Sequence, residues 1–301
     1  MPSNFGIPPA RFPSPNSATS VMAESNPTLT LAYLPHLDYD LQRFGPDDAH
    51  PAVRKSLVEI DAVVGDLIDA AQASGRSVVI LSEYGITKVD RPVHINRRLR
   101  ESGLLCVREE DGGELLDPAV SKAFAVADHQ VAHVYVADPQ LLPTVKAMLE
   151  SLPGVERVYG AADKHEIGLD HPRAGELVAI ADTRSWFTYY YWADDRYAPD
   201  FARTVEIYRK PGYDPVELFF NPAIPAPKLA IGKRLALRKL GFRALMDVIP
   251  LDASLVRGSH GRISERSEDG PLVIVDRPKL LKAGTLAATD VRSLLLDAVF
   301  N

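Results

Sequence analysis

Cysteine is almost absent from this sequence, and so are long apolar runs. Cys106 is the single cysteine among 301 residues, which excludes an internal disulfide and a zinc site built from cysteine thiolates. Its apolar neighbours Leu105 and Val107 favour a buried structural thiol over a nucleophile. No apolar stretch approaches the ~20 residues that span a bilayer, and no basic-then-apolar secretion signal opens the chain. We therefore expect no membrane partner and a cytoplasmic location.

An excess of positive charge is also lacking. The formal net charge is −6, which argues against a nucleic acid polymer as partner because phosphate binding needs a basic surface. One basic cluster is interpreted as a solvated helix face; it consists of Lys228, Lys233, Arg234, Arg238 and Lys239. The hydrophobic fraction of 46% and the charged fraction of 25% are typical of a globular protein.

The beginning of the chain differs from the rest in composition. Residues 1–16 are rich in proline and serine and have little hydrophobic periodicity, which is typical of irregular structure. We predict an irregular lead-in over residues 1–17 and one domain over residues 18–301.

Two apolar runs separated by a helical pattern indicate an α/β fold. Residues 28–34 and 77–81 have the apolar, β-branched character of buried strands. Between them, a helix is predicted from Pro51 to about Ala73, because proline suits the first helical turn and Gly75 follows as a stop signal. This order predicts a right-handed βαβ unit in a central, largely parallel sheet flanked by helices.

The middle of the chain is richer in strand signals. Asp111, Gly112 and Gly113 lie between two short apolar segments, residues 104–107 and 114–116, and predict a hairpin. Further strands are predicted over residues 123–126, 131–136, 155–159 and 176–181. We expect these strands to form a small β-containing cap or insertion. Residues 186–192, which hold six aromatic side chains, could stack on a ligand, although core packing is the favoured role.

Polar side chains follow both predicted strands of the βαβ unit. Asp38 and Gln42 come after residues 28–34, and Glu83 comes directly after residues 77–81. If Asp38 begins a helical turn, Asp38 and Gln42 share one face and could bind one cation. Two carboxylates at neighbouring strand ends form a candidate hard-cation site. The alternative is a polar loop in which Asp38 caps a helix and Glu83 is exposed.

Three loop motifs stand in a recognisable order. They are Leu37-Asp38 through Gly45-Pro46, Ser82-Glu-Tyr-Gly85, and Gly258-Ser-His-Gly261. In this order and at about these intervals, they resemble the second half of the type I phosphodiesterase/nucleotide pyrophosphatase family of the alkaline phosphatase superfamily. The resemblance covers roughly residues 18–301. It implies an alkaline-phosphatase-like α/β fold that is incomplete at its N-terminus.

The resemblance also implies a metal site with altered ligands. Family members bind two divalent metals, usually zinc; Asp38 matches the first ligand aspartate and His260 the late ligand histidine. Gln42 stands where the family has histidine, Glu83 where it has aspartate, and Tyr84 where it has histidine. A neutral amide and a phenol are poor zinc ligands, so Mg²⁺ or Mn²⁺ becomes an alternative. Replacement ligands could come from the other histidines, namely His36, His94, His129 and His171, although a surface or core role is favoured for each of them alone.

The family's threonine nucleophile has no counterpart in this sequence. Thr19 is the nearest hydroxyl candidate, but no apolar strand ending in aspartate precedes it, so the catalytic residues are unknown. The resemblance implies a metal-dependent hydrolase of small phosphoric esters, either phosphodiesters or nucleotide pyrophosphates. Without the nucleophile region, we expect a truncated form that is weakly active or inactive, with self-association through the uncovered N-terminal sheet edge.

Two other interpretations remain open at this point. The chain could be a non-catalytic α/β binding or partner module that keeps the fold, which Gln42 and Tyr84 favour. It could also be a doubly wound α/β protein of unrelated function, because a fold does not fix a chemistry.

Overall fold

A computed structural model describes residues 15–206, 208–281 and 284–300. The predicted lead-in falls mostly on residues 1–14, which lie outside the described residues. The α-helices of the described part are α1 Pro15–Ser25, α2 His36–Phe44, α3 Pro51–Ala73, α4 Ile95–Glu101, α5 Leu142–Glu150, α6 Pro227–Lys239 and α7 Val291–Phe300. The strands are β1 Val79–Leu81, β2 Thr87–Lys88, β3 Arg91–Val93, β4 Val107–Glu110, β5 Gly113–Leu116, β6 Ala123–Asp128, β7 Val131–Val136, β8 Val155–Tyr159, β9 Leu177–Ala181, β10 Ser185–Phe187, β11 Gly258–Ser259 and β12 Val273–Val275. Short 3-10 helices cover Pro139–Leu141, Lys164–Ile167, Asp195–Tyr197, Pro215–Leu218, Ala253–Leu255, Ser267–Asp269, Pro278–Leu280 and Ala288–Asp290.

The chain divides into two compact units. The first, which we call the central unit, holds Thr87–Arg262. The second, which we call the terminal unit, holds the described residues up to Ile86 and those from Ile263 onward.

The central unit is built on a four-stranded antiparallel sheet in the order β6-β7-β9-β8. Strands β6 and β7 form a hairpin whose turn is His129 and Gln130, and His129 has a φ of 56°. A second hairpin joins β4 to β5 through Asp111 and Gly112. Both turn residues have positive φ, 51° and 78°, which is the backbone that an Asp-Gly hairpin turn requires. The predicted hairpin at Asp111 and Gly112 and the predicted strands before and after residues 129–130 are therefore present.

The core of the central unit is aromatic. Helices α4 and α5 pack on the sheet, and the aromatic run of residues 186–192 lies inside, with its six ring side chains at 0% or 1% exposed surface. Asn96 on α4 is buried and holds β6, because its side chain donates to the Ala125 carbonyl at 2.8 Å and accepts from the Ala125 N–H at 2.7 Å. The aromatic run is a core element, as favoured from the sequence.

The terminal unit is mainly helical. Helix α3 begins at Pro51, and its N-terminus is capped by the His50 ring, which accepts a hydrogen bond from the Ala52 N–H at 3.3 Å. Its helical bounds agree with the prediction. The short strand β1 pairs antiparallel with β12, with Ile80 opposite Ile274.

The described part confirms a mixed α/β class, but it does not confirm a central parallel sheet. The sheets are small and mostly antiparallel, and the one parallel pairing of named strands joins β3 to β10. Residues 28–34 were predicted as a buried strand and are not a strand; Leu31 and Tyr33 are 78% and 72% exposed. The physical reason is that a strand needs a partner, and this segment pairs with no described strand.

None of the helices in the described ranges is long and apolar enough to cross a lipid bilayer.

Candidate functional site

Asp38 and Gln42 lie on one face of helix α2 in the terminal unit. Asp38 stands in the first turn, and the Gln42 side-chain amide donates to its Oδ2 at 2.8 Å. Gln42 is 1% exposed. The other oxygen of each group, Asp38 Oδ1 and Gln42 Oε1, is buried and has no hydrogen-bond partner among the described residues. The predicted shared face therefore exists, and it presents two buried oxygen acceptors.

Burial raises the pKa of Asp38 above its ordinary value. Hydrogen bonds from Gln42 and Tyr84 act in the opposite direction, and the Glu83 charge raises the pKa further. Of the described groups that act on this carboxyl, none is cationic. A cation bound next to this buried carboxyl would stabilise its charged form.

Glu83 and Tyr84 lie in the loop that follows β1. Hydrogen bonds between Ser82 and Leu272 hold this loop, at 3.0 Å to the Leu272 carbonyl and 2.9 Å from its N–H. A Cβ at Gly85 would stand 1.9 Å from the Asp269 carbonyl oxygen, so only glycine allows this close approach. Burial, together with the Asp38 charge, raises the pKa of Tyr84, and its phenol stays protonated at neutral pH.

His260 belongs to the central unit, where it follows β11. Its ring centroid is 3.8 Å from that of His129, and His129 in turn stands 4.7 Å from the ring of Tyr213. The His260 carbonyl accepts from the Gln130 N–H at 2.9 Å, and His129 Nδ1 lies 3.3 Å from Ser259 Oγ. The β6–β7 turn therefore brings two histidines together that are far apart in sequence.

Burial keeps both of these imidazoles neutral. It lowers the pKa of His260 to about 4. It lowers the pKa of His129 well below its ordinary value, and the nearby His260 adds to the effect. Neutral imidazole is the form of histidine that can accept a proton or bind a metal.

The remaining candidate histidines are occupied in other ways. His36 Nε2 lies 3.2 Å from the Ser56 carbonyl oxygen in the terminal unit. In the central unit, His94 Nδ1 lies 2.7 Å from Thr188 Oγ1, and His171 accepts from the Arg173 N–H at 3.1 Å.

The described side chains supply a partial set of metal donors. The structure gathers Asp38, Gln42, Glu83 and Tyr84 in the terminal unit. Their donors are oxygens, which suit a hard cation, whereas zinc in proteins prefers nitrogen and sulfur. Within the described ranges, no three His, Cys, Asp or Glu side chains come together so that they could hold a metal ion. The donor chemistry therefore fits an oxygen-preferring cation and does not fit a tetrahedral zinc.

Two further polar groupings in the central unit were missed from sequence. Lys210 is buried with Asp214 and Glu217; no periodic pattern marks this set in the sequence, because Pro211, Gly212 and Pro215 interrupt any helical spacing. Arg97 and Arg203 line one cleft with His94, and no sequence pattern links them because their separation is long.

Comparison with known proteins identifies the family. The sequence model of the family described as Type I phosphodiesterase / nucleotide pyrophosphatase matches residues 13–214. The chain belongs to this family. No curated protein matches the chain by sequence.

Solved structures also match this chain in part. The phosphonoacetate hydrolase of Sinorhizobium meliloti 1021, in complex with phosphonoformate, is 16% identical with a TM-score of 0.53, and the match covers 95% of this chain and 54% of that chain. The murine ectonucleotide pyrophosphatase/phosphodiesterase 5, an inactive form in complex with AMP, is 16% identical with a TM-score of 0.42 and coverages of 57% and 43%. The chain thus spans about half the length of the solved relatives it matches. The likeness to the hydrolase is one of fold.

Proposed function

We propose that this chain is a metal-dependent hydrolase-family protein for small phosphoric esters, and that its activity as given is weak or nil. The substrates would be phosphodiesters or nucleotide pyrophosphates. The observation that carries the proposal is the pair of buried, unpartnered oxygens on Asp38 and Gln42, in a chain that belongs to a phosphodiesterase family.

The proposed cation would be held by Asp38, with Gln42 and Glu83 as further oxygen donors. Mg²⁺ or Mn²⁺ suits such donors better than zinc does, although zinc is the metal that the family resemblance implies. A divalent cation at this place would stabilise negative charge on phosphoryl oxygens. The ligand role of His260 stays a prediction, since that residue belongs to the other unit.

Weak activity is proposed because two positions that the family uses as ligands carry poor donors. Gln42 offers a neutral carbonyl oxygen, and the raised pKa of Tyr84 keeps its phenol protonated. A nucleophile is not assigned. Both altered ligand positions would reduce the charge stabilisation on which phosphoryl transfer depends.

Metal content tests the cation site directly. We expect the purified chain, dialysed against Mn²⁺ or Mg²⁺, to retain metal by elemental analysis, and Asp38→Ala to lose it. Asp61→Ala is the matched control, because Asp61 is an exposed carboxylate of the same unit. Retention of zinc alone, with no loss in Asp38→Ala, would contradict the assignment.

Activity is tested on bis(4-nitrophenyl) phosphate with the same variants and metals. We expect turnover far below the ~1–10³ s⁻¹ of typical enzymes. Efficient turnover that Asp38→Ala abolishes would retain the site and overturn the proposal of weak activity.

The second candidate is a binding or partner module without chemistry. It is favoured by the neutral Tyr84 phenol and by the lack, within the described ranges, of any cluster of three ligand side chains. Absence of metal from both the wild type and Asp61→Ala would support this candidate.

Two further properties are proposed on separate grounds. Self-association through the segment of residues 28–34 is supported by the exposure of Leu29, Leu31 and Tyr33, because monomers rarely leave such side chains uncovered together. A cytoplasmic location rests on the use of a single cysteine.

A further inference from the structure

The central unit contains a cleft with a volume of about 620 Å³, which we call the Arg203 cleft. Part of its lining is apolar and rigid, and comes from Pro92, Pro222, Pro250 and Leu251. Small-molecule sites in proteins have this size and this mixture of apolar wall and few polar groups. The cleft lies wholly within the central unit, whereas Asp38, Gln42, Glu83 and Tyr84 belong to the terminal unit.

The charged side chains of the cleft are unequally paired. Asp195 accepts from Arg97 and from Trp192 Nε1, both at 2.8 Å. Asp252 forms no ion pair with a described cation, but its Oδ1 accepts from the N–H and the hydroxyl of Ser254 at 3.0 and 2.6 Å. Arg203, in contrast, forms no ion pair with any described carboxylate. Its charge acts on Asp247 from a distance, but that carboxylate is in contact with Arg234.

The same cleft is lined by a buried hydrogen-bond donor. Tyr190 lines the cleft and is 1% exposed, and its hydroxyl has no hydrogen-bond partner in the described part of the chain. Burial raises the pKa of Tyr190 well above its ordinary value, so the hydroxyl remains a donor at neutral pH. A buried donor without an acceptor costs about 1–3 kcal/mol, and a ligand oxygen would remove this cost.

The third polar group is a neutral imidazole. His94 stacks on Tyr190 with ring centroids 5.8 Å apart and an interplanar angle of 10°. Burial lowers the pKa of His94 to about 4, and the ring carries no charge near pH 7. The cleft therefore offers one unpaired cation, one unsatisfied donor and an apolar wall.

We propose that the Arg203 cleft binds a small organic anion, with Arg203 contacting its carboxylate or phosphate and the proline-lined wall contacting its apolar body. An arginine pairs with either group through two parallel N–H bonds. This inference is independent of the proposed hydrolase function, because it needs neither a metal nor the Asp38 site.

Calorimetric titration with four probes in the presence of a chelator tests the proposal. Phenyl phosphate and benzoate carry the anion and the apolar body, inorganic phosphate carries only the anion, and phenol carries only the body. We expect saturable binding of phenyl phosphate, of benzoate or of both, and at least ~10-fold weaker binding of inorganic phosphate and phenol, a difference of about 1.4 kcal/mol. The stronger of the two organic anions identifies the head group.

Variants locate the binding. Arg203→Gln should weaken the better organic anion at least ~10-fold, while Arg108→Gln, an exposed arginine of the same unit, should not change it. Ala223→Trp, at an exposed position of the lining, should block binding without removing a charge. Asp38→Ala should bind as the wild type does, which separates this result from failure of the hydrolase proposal.

Three results would overturn the inference. One is the absence of saturable binding by either organic anion. Another is equal loss of affinity in Arg203→Gln and Arg108→Gln, which would indicate an unspecific charge effect. The last is inorganic phosphate that binds as tightly as phenyl phosphate, because the wall would then contribute nothing.

Discussion

The two units of this chain differ sharply in how they bury apolar surface. The large contiguous core cluster, from Val89 to Val256, lies entirely in the central unit. In the terminal unit, the described hydrophobic side chains that are fully buried are Met22, Val53, Ala71 and Leu294. Since apolar burial is the main favourable term in folding, the central unit should carry most of the stability.

The difference also affects where polar groups can be held. In the central unit, burial is deep enough to keep Lys210 at 0% exposed surface between Asp214 and Glu217. In the terminal unit, the apolar side chains of Leu31 and Tyr33 face solvent. Apolar runs that look alike in the sequence are therefore buried in the core of the central unit and exposed on the surface of the terminal unit.

The largest expected effect comes from Lys210→Met in the central unit. The Lys210 ammonium lies 2.9 Å from Asp214 Oδ2 and 2.5 Å from Glu217 Oε1. Removing the cation leaves two buried carboxylates without a cationic partner, which should cost about 3–5 kcal/mol in the free energy of unfolding. Urea denaturation measures this loss.

Lys233→Met serves as the control for that substitution, because Lys233 is exposed on α6. It should change the free energy of unfolding by no more than ~0.5 kcal/mol. Similar losses of unfolding free energy in both variants would contradict the prediction, because the buried position of Lys210 would then have no special effect on stability.

The two buried histidines should make the central unit less stable at acid pH. The lowered pKa values of His129 and His260 mean that the folded state binds fewer protons than the unfolded state below pH 6.5. The stabilising contribution is therefore present above the unfolded pKa of 6.5 and is lost as pH falls toward the folded pKa. Each imidazole should contribute a slope of up to ~1.4 kcal/mol per pH unit in this window.

His129→Asn should make that slope smaller. Asparagine tolerates the positive φ of 56° at this position, so the β6–β7 turn is retained. Urea unfolding between pH 7 and pH 4.5 gives the slope, with the exposed His165→Asn as the control. An unchanged slope in His129→Asn would mean that the histidine pair does not control acid stability.

The smallest effect on stability is expected in the exposed segment of the terminal unit. Leu31→Ser combined with Tyr33→Ser should change the free energy of unfolding by no more than ~0.5 kcal/mol, because both side chains are largely exposed. The same double variant should shift the chain toward monomer in a sizing experiment.

Leu229→Ser provides the comparison for association, because Leu229 is 75% exposed in the central unit. It should leave the sizing profile unchanged. A wild type that is monomeric at all concentrations would rule out the proposed self-association of the terminal unit.

Local features of this protein could be predicted from the sequence. The Asp111-Gly112 turn, helix α3 from Pro51 and the shared face of Asp38 and Gln42 depend on residues within one or two turns of each other. Capping, turn chemistry and helical periodicity act at this range. The family could be recognised for the same reason, because its motifs are short and local.

The pairing of segments that are far apart in sequence depends on the tertiary structure. Strand β1 pairs with β12, whereas residues 28–34 pair with no described strand. The ring of His129 contacts that of His260, although 130 residues lie between them in the sequence. An apolar run favours burial but does not specify its partner, which depends on the loop entropy and the packing of the whole chain. Turns, helix ends and the family could therefore be predicted from local sequence. The strand partners and the surroundings of each candidate ligand depend on packing, which involves the whole chain.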